Sequence, residues 1–520
     1  MMDYYEELVQ ALVLGQISSR AELLKAKSRL CKKHGLARVP ANYEILERVP
    51  EEYRDILEPL LKNKPIRTLS GVAPVAVMTS PSECPHGRCT YCPGGVSNNT
   101  PQSYTGQEPA ALRASMYAYD PFVQTNGRIE QLRAIGHKTD KVDLIIMGGT
   151  FTSRPLDYQD WFVKRCFDAM NGSESPDLES AQIANESAKS RCVGLTVETR
   201  PDWFRKTQIE HSLDFGATKV ELGVQVLDDN LLDGVKRGHH VKEVTDSTRE
   251  SKDHGLKVAY HMMPGLPGSS RGKDLESFMA MIQDDRFKPD MLKIYPTLVV
   301  KGTELYDAWR AGEYSPMSME DTVELLSDIK KLVPPWMRIL RIQRDIPVKL
   351  IEAGVKKSHL RELVLKRLRD EGASCRCVRC REIGHVPSAK ELPKDADIEL
   401  KEIVYEASRG KEHFISYEVP SIDSLIGYAR LRISGEGYRD AALLRELHVY
   451  GQMVPISGKP GKDWQHKGYG EKLLTECEKR TDSAGRRDIL VTSGVGARNY
   501  YRRLGYERKG PYMAKLVGRR

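Results

Sequence analysis

Six of the ten cysteines in this 520-residue chain fall into two tight clusters. The first, CPHGRCTYCPGG, spaces Cys84, Cys89 and Cys92 as C-x4-C-x2-C, directly after an apolar run, GVAPVAVMT. Three thiolates on one loop can hold three irons of a cubane cluster and leave the fourth iron open to a chelating ligand. A zinc knuckle completed by His86 is the alternative. The second cluster, SCRCVRCRE, spaces Cys375, Cys377 and Cys380 as C-x-C-x2-C. That suits a structural zinc loop bracing a domain junction, with His385 or a distant group as fourth ligand. In a large chain, such clustering points to metal binding, not to a disulfide framework.

Other chemistry-bearing residues recur at the ends of apolar runs. VDLIIMGGT ends in Gly148 and Gly149, where only glycine lets a ligand approach the backbone closely, followed by Thr150. Glu198 and Arg200, Gln225, His261, and Lys293 with Tyr295 end the next runs. In a parallel barrel those ends converge on one mouth. Further on, Gln465-His466-Lys467-Gly468-Tyr469-Gly470 follows a strand, ELHVYG, and opens a helix. Glycines there admit a phosphate to backbone amides, and the helix N-terminus favours negative charge. ARNYYRRLGY then supplies Asn499, Tyr500 and Tyr501.

The elements that must hold these residues read as four units. Residues 1–70 are helical, with apolar positions recurring at three and four. From 71 to 346, short apolar runs alternate with helical stretches: GVAPVAVMT, VDLIIMGG, VGLTVET, KVELGVQ, KVAYHMMP and MLKIYP. That alternation is the mark of βα units around a parallel sheet, a partial or complete barrel. Residues 347–400 are basic and show little strand pattern. Residues 401–520 return to strands, then a helix at YGEKLLTECEKRTDSAG, the strand DILVTS, and a closing helix and strand. The fold class is thus a multidomain α/β chain.

The net charge of +8 is modest, but it is unevenly placed. Arg338–Arg381 holds 13 basic and 5 acidic residues, and Arg20–Arg38 holds 7 basic residues with only Glu22. Two basic segments in a near-neutral body suit a polyanionic partner. No apolar run reaches 18 residues, so no membrane helix is expected. The opening MMDYYEELVQALVLGQ lacks the basic start of a secretory signal, and a cytoplasmic protein is expected.

The cysteine triplet resembles that of the radical S-adenosylmethionine superfamily, where C-x3-C-x2-C is commonest and Gly-Gly-Glu often stands where Gly148-Gly149-Thr150 stands here. The Gln465–Gly470 run, set between ELHVYG and ARNYYRRLGY, resembles the coenzyme A loop of GCN5-related acetyltransferases (GNAT). QSYTGQEPAALRA, YDPFVQTNGRIEQL, DKVDLIIMGGTF, VETRPDW, HMMPGLPG, KIYPTLVVKGTELY, RIQRDIP, RELHVYG, GVGARNYYRRLGY and GPYM together resemble the family of the catalytic third subunit of Elongator, in an archaeal form. The resemblance covers nearly the whole chain from Leu69 to Leu516.

It implies a tRNA uridine acetyltransferase that acts on the wobble uridine of the anticodon stem-loop. A 5′-deoxyadenosyl radical made from S-adenosylmethionine would take a hydrogen from the acetyl methyl of acetyl-CoA, and a carboxymethyl group would end on uridine carbon 5. Cys84, Cys89 and Cys92 would hold a 4Fe-4S cluster, and Cys375, Cys377 and Cys380 zinc. Acetyl-CoA contacts would fall to Lys141, Glu446, Leu447, His448, Val449, Tyr469, Gly470, Glu471 and Tyr501. Gly148 and Gly149 would face S-adenosylmethionine. Tyr500, Tyr501, Lys293 and Tyr295 are the catalytic candidates. The basic segments would grip tRNA, and accessory Elongator-like subunits or a second copy are the expected protein partners. A protein lysine acetyltransferase with a supporting barrel is the alternative.

Overall fold

A computed structural model describes residues 2–61, 68, 70–357, 359–385, 397–434, 441–451 and 467–518. Four helices come first: α1 (Tyr4–Val13), α2 (Arg20–Lys33), α3 (Asn42–Leu46) and α4 (Glu51–Leu61). Asp3 and Ser19 cap α1 and α2 with reciprocal bonds from Glu6 and Glu22, which satisfy otherwise orphaned N–H groups. Leu8, Leu12, Leu23, Leu30, Ile45 and Leu61 close a core of their own beneath these helices. No described helix is long and apolar enough to cross a membrane.

The next strands are β1 (Ala73–Met78), β2 (Lys141–Met147), β3 (Arg191–Thr199), β4 (Lys219–Gln225), β5 (Lys257–Met262), β6 (Met291–Ile294), β7 (Val299–Val300), β8 (Arg338–Arg341) and β9 (Ile351–Ala353). Seven of them form one parallel sheet in the order β1-β2-β3-β4-β5-β6-β8. β1 and β8 are its two edges, so the barrel is open along one seam. β7 and β9 pair separately as a small antiparallel ribbon. β8 (RILR) is an addition to the strands expected from sequence.

The two faces of the parallel sheet differ sharply. Val75, Val77, Leu144, Ile146, Leu195, Val197, Val220, Leu222, Val258, Tyr260 and Leu292 face outward into the main core beneath the helices. Strand alternation therefore turns Asp143, Glu198, Lys219, Glu221, Lys257, His261 and Lys293 inward. The segment 347–400 is more than a tether: Leu360, Val364 and Leu368 of the Leu360–Asp370 helix, with Cys375, Cys377 and Val378, belong to that same core.

The last unit adds β10 (Glu399–Ala407), β11 (Gly410–Val419), β12 (Ser424–Ser434), β13 (Ala441–Val449), β14 (Asp488–Val491), β15 (Glu507–Lys509) and β16 (Tyr512–Leu516), ordered β10-β11-β12-β13-β14-β16-β15. A bulge leaves Arg445 as the extra residue of β13 against β12, and β13 pairs with β14 over Ala441–Leu444 alone. Arg445–Val449 therefore diverge from β14.

This sheet covers the N-terminal end of the barrel through buried arginines. Arg445 binds both oxygens of Asp290 at 2.7 Å. Arg432 meets Asp253 at 2.6 Å, and Arg430 donates to the Trp336 carbonyl at 2.6 Å. Asp253, Asp290 and Trp336 all lie just before barrel strands. A Cβ on Gly494 would sit 2.2 Å from the Val193 carbonyl oxygen, so two backbones touch there.

Candidate active site

At the C-terminal mouth of the barrel, the loop after β1 carries Cys84, Cys89 and Cys92. Their sulfurs do not gather within 4.8 Å of one another, unlike those of the second cluster. One tetrahedral ion holds thiolates at about 2.3 Å, so the loop fits a multi-iron cluster better than a single zinc. The surroundings suit thiolates. Cys92 Sγ accepts from the Ser103 N–H at 3.1 Å and from Gln102 Nε2 at 3.4 Å. The buried Arg237 guanidinium lies 3.8 Å from Cys89 Sγ. His86 Nε2 stands 3.2 Å from Cys89 Sγ. Burial, then Arg200 and Arg237, push His86 down to about 3, so it stays neutral. Gly149 lies against the loop, where an added Cβ would fall 3.1 Å from Gln102 Cβ and 3.9 Å from Cys84 Sγ. Gly148 has φ +130° and no space for a Cβ beside Thr79.

Below the mouth, charged groups form a ladder on the inner face. Tyr104 OH donates to Glu198 at 2.8 Å; Lys293 reaches Glu198 at 3.2 Å and also pairs with Glu221. His261 Nε2 lies 2.9 Å from Glu221, and Lys219 lies 3.3 Å from it. Burial disfavours the Lys293 ammonium, but Glu221, Tyr295 and Glu198 outweigh it and raise its pKa. Glu198, Glu221 and His261 are close enough to share a metal, yet Lys293 already supplies their cation. Tyr295 packs against His261. Arg344 lies over Tyr104 and Tyr295 and donates across the open seam to the Ser103 carbonyl.

The predicted acetyl-CoA residues gather at the opposite end. Lys141, Leu447, Val449, Tyr469, Gly470, Glu471, Tyr500 and Tyr501 line a cavity of about 770 Å³, with Arg191 and Val193 of the barrel. A second cavity of about 360 Å³ shares Lys141, Val193, Leu447, Val449 and Tyr501 with it and reaches under the barrel to Glu446, His448, Lys219 and Lys257. Gly468, at φ +82°, opens the Tyr469–Ser483 helix, whose first N–H groups lack helical partners. Gly470 has no room for a side chain, because a Cβ would stand 2.8 Å from the Tyr500 hydroxyl. Gln465 and His466 lie outside the described residues.

Individual groups refine the expectations. Lys141 opens β2 and faces both cavities; burial pushes it down to about 8. Burial pushes Tyr500 up to about 12 and raises Tyr501. Glu446 is tied to Arg430 at 2.9 Å, and His448 donates from Nε2 to the Ser70 carbonyl at 2.8 Å. Asn499 donates to the Glu186 carbonyl at 3.0 Å and accepts from Arg502 at 2.6 Å, so it braces its helix on the barrel. The catalytic candidates do not converge: Lys293 and Tyr295 belong to the ladder and mouth, Tyr500 and Tyr501 to the far cavity.

Cys375, Cys377 and Cys380 do converge, within 4.8 Å, and Lys330 Nζ lies 3.6 Å from Cys380 Sγ. His385 pairs with Glu382 at 3.1 Å and does not lie within that 4.8 Å group. The basic segments are also thinned. Arg338 and Arg381 are buried in ion pairs with Glu382 and Glu418, and Lys27 is buried against Asn42. Lys25, Arg29, Lys32 and Lys33 of α2 remain exposed, as do Lys349, Lys356, Lys357, Lys366 and Arg369.

Sequence reading missed Lys219, Lys257, Arg191 and Val193. A signal was present: β2, β4 and β5 all open with Lys-Val, and in parallel register that sets three lysines at one end of the barrel.

Family models match the ELP3 N-terminal domain over residues 1–69, the Radical SAM superfamily over 79–282, the Radical_SAM C-terminal domain over 289–370 and an acetyltransferase (GNAT) domain over 402–515. The tRNA uridine(34) acetyltransferase of Methanocaldococcus jannaschii is 51% identical, across 96% of this chain and 94% of its own. Elongator complex protein 3 of Homo sapiens is 43% identical, across 99% and 96%. The solved structure of the archaeal Methanocaldococcus infernus Elp3, with an N-terminal deletion, is 46% identical and superimposes with a TM-score of 0.77, covering 86% of this chain and all of that one. A radical SAM half-barrel plugged at its base by a GNAT sheet, with homology along nearly its whole length, places this chain in the family of the tRNA uridine(34) acetyltransferases and Elongator complex protein 3.

Proposed function

We propose that the protein modifies carbon 5 of the wobble uridine of tRNA, using acetyl-CoA and S-adenosylmethionine. One observation carries this reading: the CoA-type cavity is walled by both domains, through Lys141, Arg191 and Val193 on one side and Val449, Gly470 and Tyr501 on the other. An acetyltransferase merely tethered to a supporting barrel has no need of such a shared wall. The pairing of Glu446 with Arg430 also removes the nearest general base that a lysine acetyltransferase would use.

In this reading Cys84, Cys89 and Cys92 would hold a 4Fe-4S cluster, which would supply one-electron reducing chemistry toward S-adenosylmethionine. Arg237, Gln102 and the Ser103 amide offset the charge of the thiolates. Gly148 and Gly149 leave room beside the cluster for the methionine portion. The N–H groups of Tyr469, Gly470 and Glu471 face the pyrophosphate of CoA, Lys141 adds a cation, and Tyr501 lies at the junction of the two cavities. Lys293 and Tyr295 orient the base at the mouth. Cys375, Cys377 and Cys380 hold a structural zinc. Residues 1–70 and the exposed lysines and arginines of 347–400 position tRNA through its phosphates. Residues 71–346 form the radical unit and 401–520 the acetyl-CoA unit. We place the enzyme in the cytoplasm, with accessory subunits or a second copy as its protein partners.

The test is anaerobic reconstitution with reductant, S-adenosylmethionine, acetyl-CoA and unmodified tRNA, followed by nucleoside mass measurement. Carboxymethyluridine is the expected product. Its absence, with cluster and CoA occupancy verified, overturns the reading.

A further inference from the structure

One lysine lining the inner cavity has no side-chain partner among the described residues. Lys257 opens β5 and Lys219 opens β4, and the two are direct register partners on neighbouring strands. Like charges placed side by side are destabilising unless something offsets them. Lys219 is offset by Glu221 at 3.3 Å. Lys257 is half-buried and lines the 360 Å³ cavity, and among the described residues its ammonium makes neither a hydrogen bond nor an ion pair.

The other charges facing this cavity are Lys141, Arg338, Arg445, Asp143 and Glu446, and Arg445 is bound to Asp290 and Glu412. Arg338 is bound to Glu382 and the Tyr450 hydroxyl, and Glu446 is bound to Arg430. Asp143 and Glu446 act on Lys257 from beyond ion-pair distance, while burial lowers its pKa. The local balance is cationic, and its uncompensated member is Lys257. An unpaired ammonium lining a cavity asks for an oxygen acceptor.

Geometry supplies one. The two cavities share Leu447, Val449 and Tyr501, so a CoA chain whose phosphates sit at the Tyr469–Ser483 helix N-terminus directs its acyl end inward past these residues. We propose that Lys257, with Lys219 beside it, forms the acyl subsite: its ammonium takes the carbonyl oxygen of the bound thioester and, after hydrolysis, the carboxylate that replaces the thioester. Hydrolysis adds water across the C–S bond: the acyl carbon gains the hydroxyl, whose proton passes to solvent to leave a carboxylate, and the CoA sulfur gains the other proton. Lys257 stabilises the oxygen-centred charge before and after that step. The assignment rests on reading the cavities as the acetyl-CoA site.

The experiment uses the full chain, plain CoA, and acetyl-dethia-CoA, a ketone that cannot be hydrolysed. Calorimetry on the wild type should show a preference of roughly tenfold for the ketone over CoA, the size of one hydrogen bond to a charged group. K257M should lose that preference and keep its affinity for CoA. A carbonyl-13C label on the ketone gives a second readout that needs no variant: its resonance should move downfield on the wild type. A preference that survives K257M, or an unmoved resonance, overturns the subsite and leaves the CoA cavity standing. Failure of CoA itself to bind the wild type overturns both.

Discussion

Replacing Asp290 with asparagine should loosen the joint between barrel and acetyltransferase sheet. Asp290 is wholly buried. It accepts two bonds from Arg445 and one from the Val258 N–H, at 2.7, 2.7 and 2.9 Å. Arg430 stands 3.7 Å away. Removing one partner of a buried ion pair costs about 3–5 kcal/mol, because the other charge stays buried. Arg445 keeps Glu412 and Arg430 keeps Glu446, so the lower end, about 3 kcal/mol, is expected.

The assay is urea unfolding followed by far-UV circular dichroism and by the fluorescence of Trp336. That indole belongs to the barrel and stacks on Tyr405 of the other sheet at 4.2 Å, so its signal, isolated by difference against W336F, reports the joint. Adding R445M to D290N should recover part of the loss, since the stranded charge is gone. Acid should act in the same direction. Burial raises the Asp290 pKa, but Arg445 and Lys252 outweigh it and hold the carboxyl far below its usual range. Its contribution is therefore complete above about pH 4 and shrinks as acid approaches the native value. A D290N cost under about 1 kcal/mol, or a double mutant that loses the full sum of the singles, would refute the account of the joint.

Because the cysteine loop and the CoA cavity lie at opposite ends of the barrel, C89A should abolish iron binding in reconstituted protein while CoA affinity by calorimetry stays within about twofold. Lys141, pushed down to about 8 by burial, is charged below that pH; CoA affinity should fall as pH rises through about 8, and K141R should flatten the decline. Reversing Lys25, Arg29, Lys32 and Lys33 to glutamate should weaken tRNA binding and reduce its salt slope by as many units as phosphate contacts are lost, with the circular dichroism spectrum unchanged. An unchanged slope would remove α2 from the tRNA interface.

Much of this molecule was legible because its elements carry strong patterns. The six expected barrel strands are apolar on the buried face and sit between helices, and the cysteine spacings need no tertiary context. What escaped were charges placed where charges are usually solvated. β8 reads RILR, an apolar pair between two arginines, and gives no strand signal until Arg338 finds Glu382. Arg430, Arg432 and Arg445 look like outward positions of edge strands, yet each is almost fully buried. The carboxylates opposing Arg432 and Arg445, Asp253 and Asp290, lie 179 and 155 residues away. No local pattern announces such pairs. Lys257 escaped for the same reason: its meaning lies in its neighbour across the strand.

A closed barrel admits only what passes through its ends, whereas this sheet stops at β1 on one side and β8 on the other. Access to the inner face is thus sideways as well as endwise. A long polymer can lie along the gap with a single unit turned inward, and need not thread itself through anything. Arg344 reaches across that gap to Ser103 with a tyrosine on either flank. The same guanidinium that fastens the two edges is therefore also a cation set in that gap.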